Sequence, residues 1–106
     1  MGYSILIIDD EENARKNICG LLKENDFDVI ESDSIKIGRD YLMKGDGDVV
    51  LLDVHLPDGE GTEFLKEIVK MPTRPPVILI TGYGDIDMAV EAMKNGAHDF
   101  ITKPIV

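Results

Sequence analysis

The segment Val49-Val50-Leu51-Leu52-Asp53 constrains this chain more than any other. Four consecutive apolar residues cannot alternate between core and solvent, so they read as a strand buried on both faces, as in the middle of a parallel sheet covered by helices. The run stops at a carboxylate. Val54-His55-Leu56-Pro57-Asp58-Gly59-Glu60-Gly61 then follows as a loop punctuated by proline and glycine. Ligands of open α/β sheets collect at the carboxyl ends of strands. Asp53 is therefore the first candidate for chemistry.

The same grammar recurs along the chain. Tyr3-Ser4-Ile5-Leu6-Ile7-Ile8 runs into Asp9-Asp10-Glu11-Glu12, Val77-Ile78-Leu79-Ile80 runs into Thr81-Gly82, and Asp99-Phe100-Ile101-Thr102 runs into Lys103-Pro104. Residues 27–31 read as a short edge strand. Between the strands the spacing is helical. A first helix carries Ala14, Ile18, Leu21 and Leu22 on one stripe, and a second covers 35–43. A third, capped by Thr62, presents Phe64, Leu65, Ile68 and Val69. A fourth, capped by Asp85, presents Ile86, Ala89, Val90 and Met93 and stops at Gly96. Strands alternating with helices require right-handed crossovers and a parallel sheet with helices on both faces. The predicted fold is a flavodoxin-like, doubly wound, five-stranded parallel sheet of order 2-1-3-4-5 in one domain, 1–106. That order sets the strands ending in Asp9-Asp10 and Asp53 side by side at the switch point.

Composition narrows the function classes. With 43% hydrophobic residues in 106, the chain has one modest core. No apolar run approaches the roughly 20 residues of a membrane span, and the first strand begins too early for a signal peptide. The lone Cys19 excludes an internal disulfide and fits a reducing, cytoplasmic setting. Eleven basic against twenty-one acidic residues leave a formal charge of -10, which opposes direct nucleic-acid or anionic-membrane binding.

On one rim the strand ends collect Asp9, Asp10, Asp53, Thr81 and Lys103. Three adjacent carboxylates repel one another at roughly 4 kcal/mol per close pair for the effective dielectric near a protein surface. A cation must sit among them. Mg²⁺ suits such a site because it takes oxygen ligands, often one or two carboxylates plus phosphate oxygens. A carboxylate can act as a nucleophile toward phosphorus, and phosphoryl transfer depends mainly on positioning and charge neutralisation. Lys103 supplies a compact ammonium for a phosphate oxygen. Each residue alone has a plainer reading: Asp9 and Asp10 as helix-capping acids, Thr81 as a β-branched strand residue, Lys103 as a surface lysine, Phe100 as core, and His55 and His98 as exposed loop residues. Their order at successive strand ends favours a shared site.

The Asp9-Asp10 pair, Asp53 with Pro57 and Gly61 behind it, Thr81-Gly82 and Lys103-Pro104 together resemble the receiver domain of two-component response regulators. The segment from Thr81-Gly82-Tyr83-Gly84-Asp85 to Asp99-Phe100 is most similar to the nitrogen-regulator type, which controls sigma-54-dependent transcription activators. The resemblance implies that Asp53 accepts a phosphoryl group from a sensor histidine kinase. Mg²⁺ would be held by Asp9, Asp10, Asp53 and the backbone carbonyl of His55. Thr81 and Lys103 would bind the phosphate, and the Thr81 and Phe100 pair would carry the conformational switch, with Gly82 and Gly84 freeing the loop between them. It further implies an output domain, such as a sigma-54 activator ATPase, in the parent protein, and no turnover of a separate substrate.

Receivers carry a fifth helix after Lys-Pro, which this chain lacks or carries truncated. An uncovered sheet face would favour a homodimer near the Leu79 and Ile101 strands and the first helix. Three rivals differ at named positions. An aspartyl-phosphate phosphatase of the haloacid dehalogenase type needs a second aspartate where His55 stands. A flavodoxin-like flavin protein needs a phosphate loop where Asp9-Asp10 would repel phosphate. A truncated receiver could instead serve as a dimerisation module.

Overall fold

A computed structural model describes residues 3–104. The apolar runs form the parallel strands β1 (Ser4–Ile8), β2 (Asp28–Ser32) and β3 (Val49–Asp53). A hairpin of two short strands, β4 (His55–Leu56) and β5 (Gly59–Glu60), follows, then β6 (Val77–Thr81) and β7 (Asp99–Thr102). The main sheet has the order β2-β1-β3-β6-β7, all parallel. With the hairpin set aside, this is the 2-1-3-4-5 order expected. Four helices connect it among the described residues: α1 (Glu12–Glu24), α2 (Ile35–Met43), α3 (Gly61–Ile68) and α4 (Ile86–Lys94). None is long and apolar enough to cross a membrane.

Alternation along each strand divides the core. Leu6, Ile8, Val50, Leu52, Val77 and Leu79 pack under α2, α3 and α4. Ile5, Ile7, Leu51 and Ile80 face Ile18 and Cys19 of α1. Leu79, expected beside the open face, is thus wholly buried on the opposite side. The period of two puts Ile78, Ile80 and Ile101 on the α1 side, with Ile101 37% exposed. Between α1 and the end of β7 runs a groove of about 350 Å³ lined by Glu11, Asn13, Ala14, Asn17, Ile18, Lys103 and Pro104.

Several local expectations change. In α1 the buried pair is Ile18 and Cys19, and Leu21 is exposed, because only α1's narrow contact stripe meets the sheet. In α4 the alanines Ala89 and Ala92 are buried while Val90 and Met93 face outward, since α4 packs closely on small residues. Thr62 does not cap α3. The helix starts two residues earlier than a Thr62 cap implies, at Gly61, with Glu60 in the cap position and no side-chain cap bond. Asp85 likewise makes no side-chain cap for α4. A cap that sequence spacing does not reveal appears at α2. Asp58 accepts bonds from Ile35 N at 2.9 Å and Lys36 N at 3.0 Å, beside the local Ser34 cap on Ile37 N.

The hairpin was read as a loop because two-residue strands carry no periodicity. It folds back tightly: Gly61 N donates to Val54 O at 2.7 Å, and a side chain at Gly61 would collide with the Asp53 carbonyl and the Val54 backbone. Backbone cannot yield as a side-chain end can. Gly61→Ala should therefore lower the unfolding free energy by about 1–3 kcal/mol, measured by urea denaturation.

Candidate functional site

Four strand ends meet at one rim, and each delivers one group. β1 ends in Asp9, which is wholly buried, followed by the exposed Asp10. Three bonds hold Asp9: its N–H donates to Ser32 O at 3.0 Å, its Oδ1 accepts from Glu11 N at 3.0 Å, and its carbonyl accepts from Arg15 Nη1 at 2.8 Å. Arg15 in turn pairs with Glu31 at 2.9 Å. β3 ends in the buried Asp53, whose Oδ1 accepts weakly from His55 N at 3.4 Å. β7 leads to Lys103, whose N–H donates to Thr81 O at 2.7 Å and so sets the lysine beside the end of β6.

The Lys103 ammonium lies 3.2 Å from Asp9 Oδ2, 3.2 Å from Asp53 Oδ2 and 3.6 Å from Glu11 Oε2. One positive charge thus faces three carboxylates, and Asp10 adds a fourth. Oxygens of Asp9, Asp10 and Asp53 lie within 4.8 Å of one another. The site keeps an excess of negative charge and offers only oxygen donors. That fits a hard divalent cation such as Mg²⁺. At this rim the buried Thr81 Oγ1 lacks a hydrogen-bond partner among the described residues, and Asp9 Oδ2 meets only the Lys103 ammonium. An orphaned hydroxyl at the strand end beside Asp53 is what an incoming oxyanion would need.

Burial, and then the neighbouring Asp9 charge, push Asp53 up to about 6 against the pull of Lys103. Burial alone would lower Lys103, but Asp53 and Asp9 prevail and raise it.

All five rim residues expected from the sequence converge here. Phe100 lies next door on β7, half-buried against the α4 side of the core. His98 is exposed. His55 is exposed too, but not idle: its ring bonds Glu60 Oε2 at 3.0 Å and Asp85 Oδ1 at 3.1 Å. Sequence reasoning missed Glu11 and Arg15 as parts of the site. Glu11 could have been suspected from adjacency. Arg15 could not, since its partners are a backbone carbonyl and a residue on another strand.

Comparison with known proteins agrees with this geometry. Residues 5–106 match the family described as Response regulator receiver domain. The transcriptional regulatory protein FixJ of Rhizobium meliloti is 40% identical over 102 residues, 96% of this chain and 50% of FixJ. The response regulator protein PilR of Pseudomonas aeruginosa is 37% identical over 94% of this chain and 22% of its own. The chain thus spans about half of one relative and a fifth of the other. The crystal structure of the receiver domain of NtrX from Brucella abortus superposes with a TM-score of 0.90 at 32% identity, covering 96% of this chain and 87% of that one.

Asp53 ionises at about 6 in the fold against an ordinary 3.8, so folding favours its protonated form. The resulting penalty is absent below the unfolded value, grows as pH rises, and is complete above about pH 6. In metal-free buffer at pH 7, Asp53→Asn should be more stable than wild type by about 1–3 kcal/mol. Urea midpoints across pH should show that advantage shrinking to nothing near pH 4.

Proposed function

The chain belongs to the response regulator receiver domains, and from that membership we propose a phosphoacceptor switch in which Asp53 takes a phosphoryl group from a sensor histidine kinase. An Asp53 carboxylate oxygen forms the new bond to phosphorus as the donor's phosphorus–nitrogen bond breaks. The observation that carries this reading is the Lys103 ammonium set 3.2 Å from both Asp9 and Asp53, beside the unpartnered Thr81 hydroxyl. Lys103 would turn from Asp53 to a phosphate oxygen, and Thr81 would donate to another. Asp9, Asp10, Asp53 and the His55 carbonyl would hold Mg²⁺. That ion supplies neutralisation of the charge that builds on the transferring oxygens.

Movement of Thr81 toward the phosphate would open space for Phe100 to turn inward, coupling a local charge to the α4 and β7 surface. The domain would run its own phosphorylation and dephosphorylation and turn over no other substrate. The relatives' greater lengths support an output domain elsewhere in the parent protein, a transcriptional one by analogy with FixJ. A homodimer would form through the open face bounded by α1 and Ile101. Sedimentation at high concentration should show it, and a monomer throughout would remove it. The phosphatase alternative loses support at His55, whose ring is engaged by Glu60 and Asp85.

Incubation with acetyl phosphate and Mg²⁺ should add the mass of one phosphoryl group to wild type and none to Asp53→Asn. Lys103→Ala should slow the reaction about 100-fold or more, as loss of a preorganised charge donor does. An unmodified wild type would overturn the proposal.

A further inference from the structure

The contact between His55 and Asp85 joins two parts of the molecule that the phosphoacceptor reading needs to shift relative to one another. We propose that the His55 side chain ties the loop behind Asp53 to the turn that opens α4, and so holds that turn in its unphosphorylated arrangement. This rests on the reading above and adds the control of its switch.

The hairpin end of the tie is fixed. His55 lies opposite Glu60 in the β4–β5 pair, and its Nδ1 bonds the Glu60 carboxylate at 3.0 Å. Asp58 at the hairpin tip caps α2, and Gly61 at its base lies against the Asp53 carbonyl. The other end is lightly held. The turn Tyr83–Asp85 is a single 3₁₀ turn flanked by Gly82 and containing Gly84, and nothing lies within 4 Å of a side chain added at Gly84. Asp85 makes no cap for its own helix. Its carboxylate instead takes a bond from His55 Nε2 at 3.1 Å. Both ring nitrogens face carboxylates, Asp85 first among them in favouring the protonated ring.

A phosphoryl group on Asp53 that draws Thr81 inward must carry Gly82 and the following turn with it. The hairpin cannot follow, because Asp58 and Gly61 anchor it. A turn that shifts against the fixed hairpin cannot keep the His55–Asp85 bond in its present geometry, and the loss of that bond opposes the switch. The effect is small by nature, since the His55 side chain is 55% exposed.

Beryllofluoride with Mg²⁺, a stable stand-in for the phosphoryl group, tests the tie in titrations of wild type, His55→Ala, Asp85→Asn and the double variant. His55→Ala keeps the backbone carbonyl. Each single variant should bind about two- to fivefold tighter, in the range a partly exposed ion pair supports. The double variant should bind no tighter than the singles, because both remove one bond. Without ligand, amide hydrogen exchange over 83–88 should be faster in His55→Ala. Singles that bind as wild type does, or more weakly, would overturn the tie, as would additive effects. A wild type that ignores beryllofluoride would sink the phosphoacceptor reading instead. The exchange comparison would then decide the tie alone, unchanged rates counting against it.

Discussion

An ammonium group wedged between two buried carboxylates is the contact on which the rest of this molecule turns. Lys103 reaches Asp9 across 94 residues of sequence and Asp53 across 50, so the site exists only when β1, β3 and β7 end at the same rim. The arrangement is under tension by construction. Burial disfavours the charge on Asp53, Asp9 disfavours it further, and Lys103 restores only part. Removing Lys103, the ammonium they share, would leave Asp9 and Asp53 facing each other uncompensated, which costs far more than the pair contributes. A site poised this way gains when a divalent cation arrives to share the negative charge.

The short hairpin after Asp53 is the second structural device. It gives the loop behind Asp53 a fixed shape through three contacts: the Gly61 return onto the Asp53 backbone, the Asp58 cap on α2, and the His55 ring between Glu60 and Asp85. Each contact joins the loop to a different neighbour. The loop behind Asp53 thus touches the starts of α2, α3 and α4. The sheet interior takes little part, since its strands are locked by close-packed aliphatic residues.

The two faces of the sheet differ in the same sense. Three helices cover one, and α1 covers the other beside a groove that opens toward Lys103 and Pro104. FixJ and PilR extend well beyond the length of this chain.

The sequence by itself determined the strands, their parallel order and the rim residues. Runs such as Val50-Leu51-Leu52 and Ile78-Leu79-Ile80 cannot be half-exposed, and their first polar residue must mark the sheet's edge. Asp9, Asp53, Thr81 and Lys103 were legible for that reason alone. Only the tertiary structure decided which oxygen Lys103 meets, that Asp9 is buried while Asp10 is exposed, that Leu79 and Ile80 face opposite cores, that Asp58 caps α2, and that His55 and Asp85 bond each other. Periodicity reports which face of an element is dry. It carries no record of partners 23 or 30 residues away, because those contacts arise from where separate elements come to rest against one another.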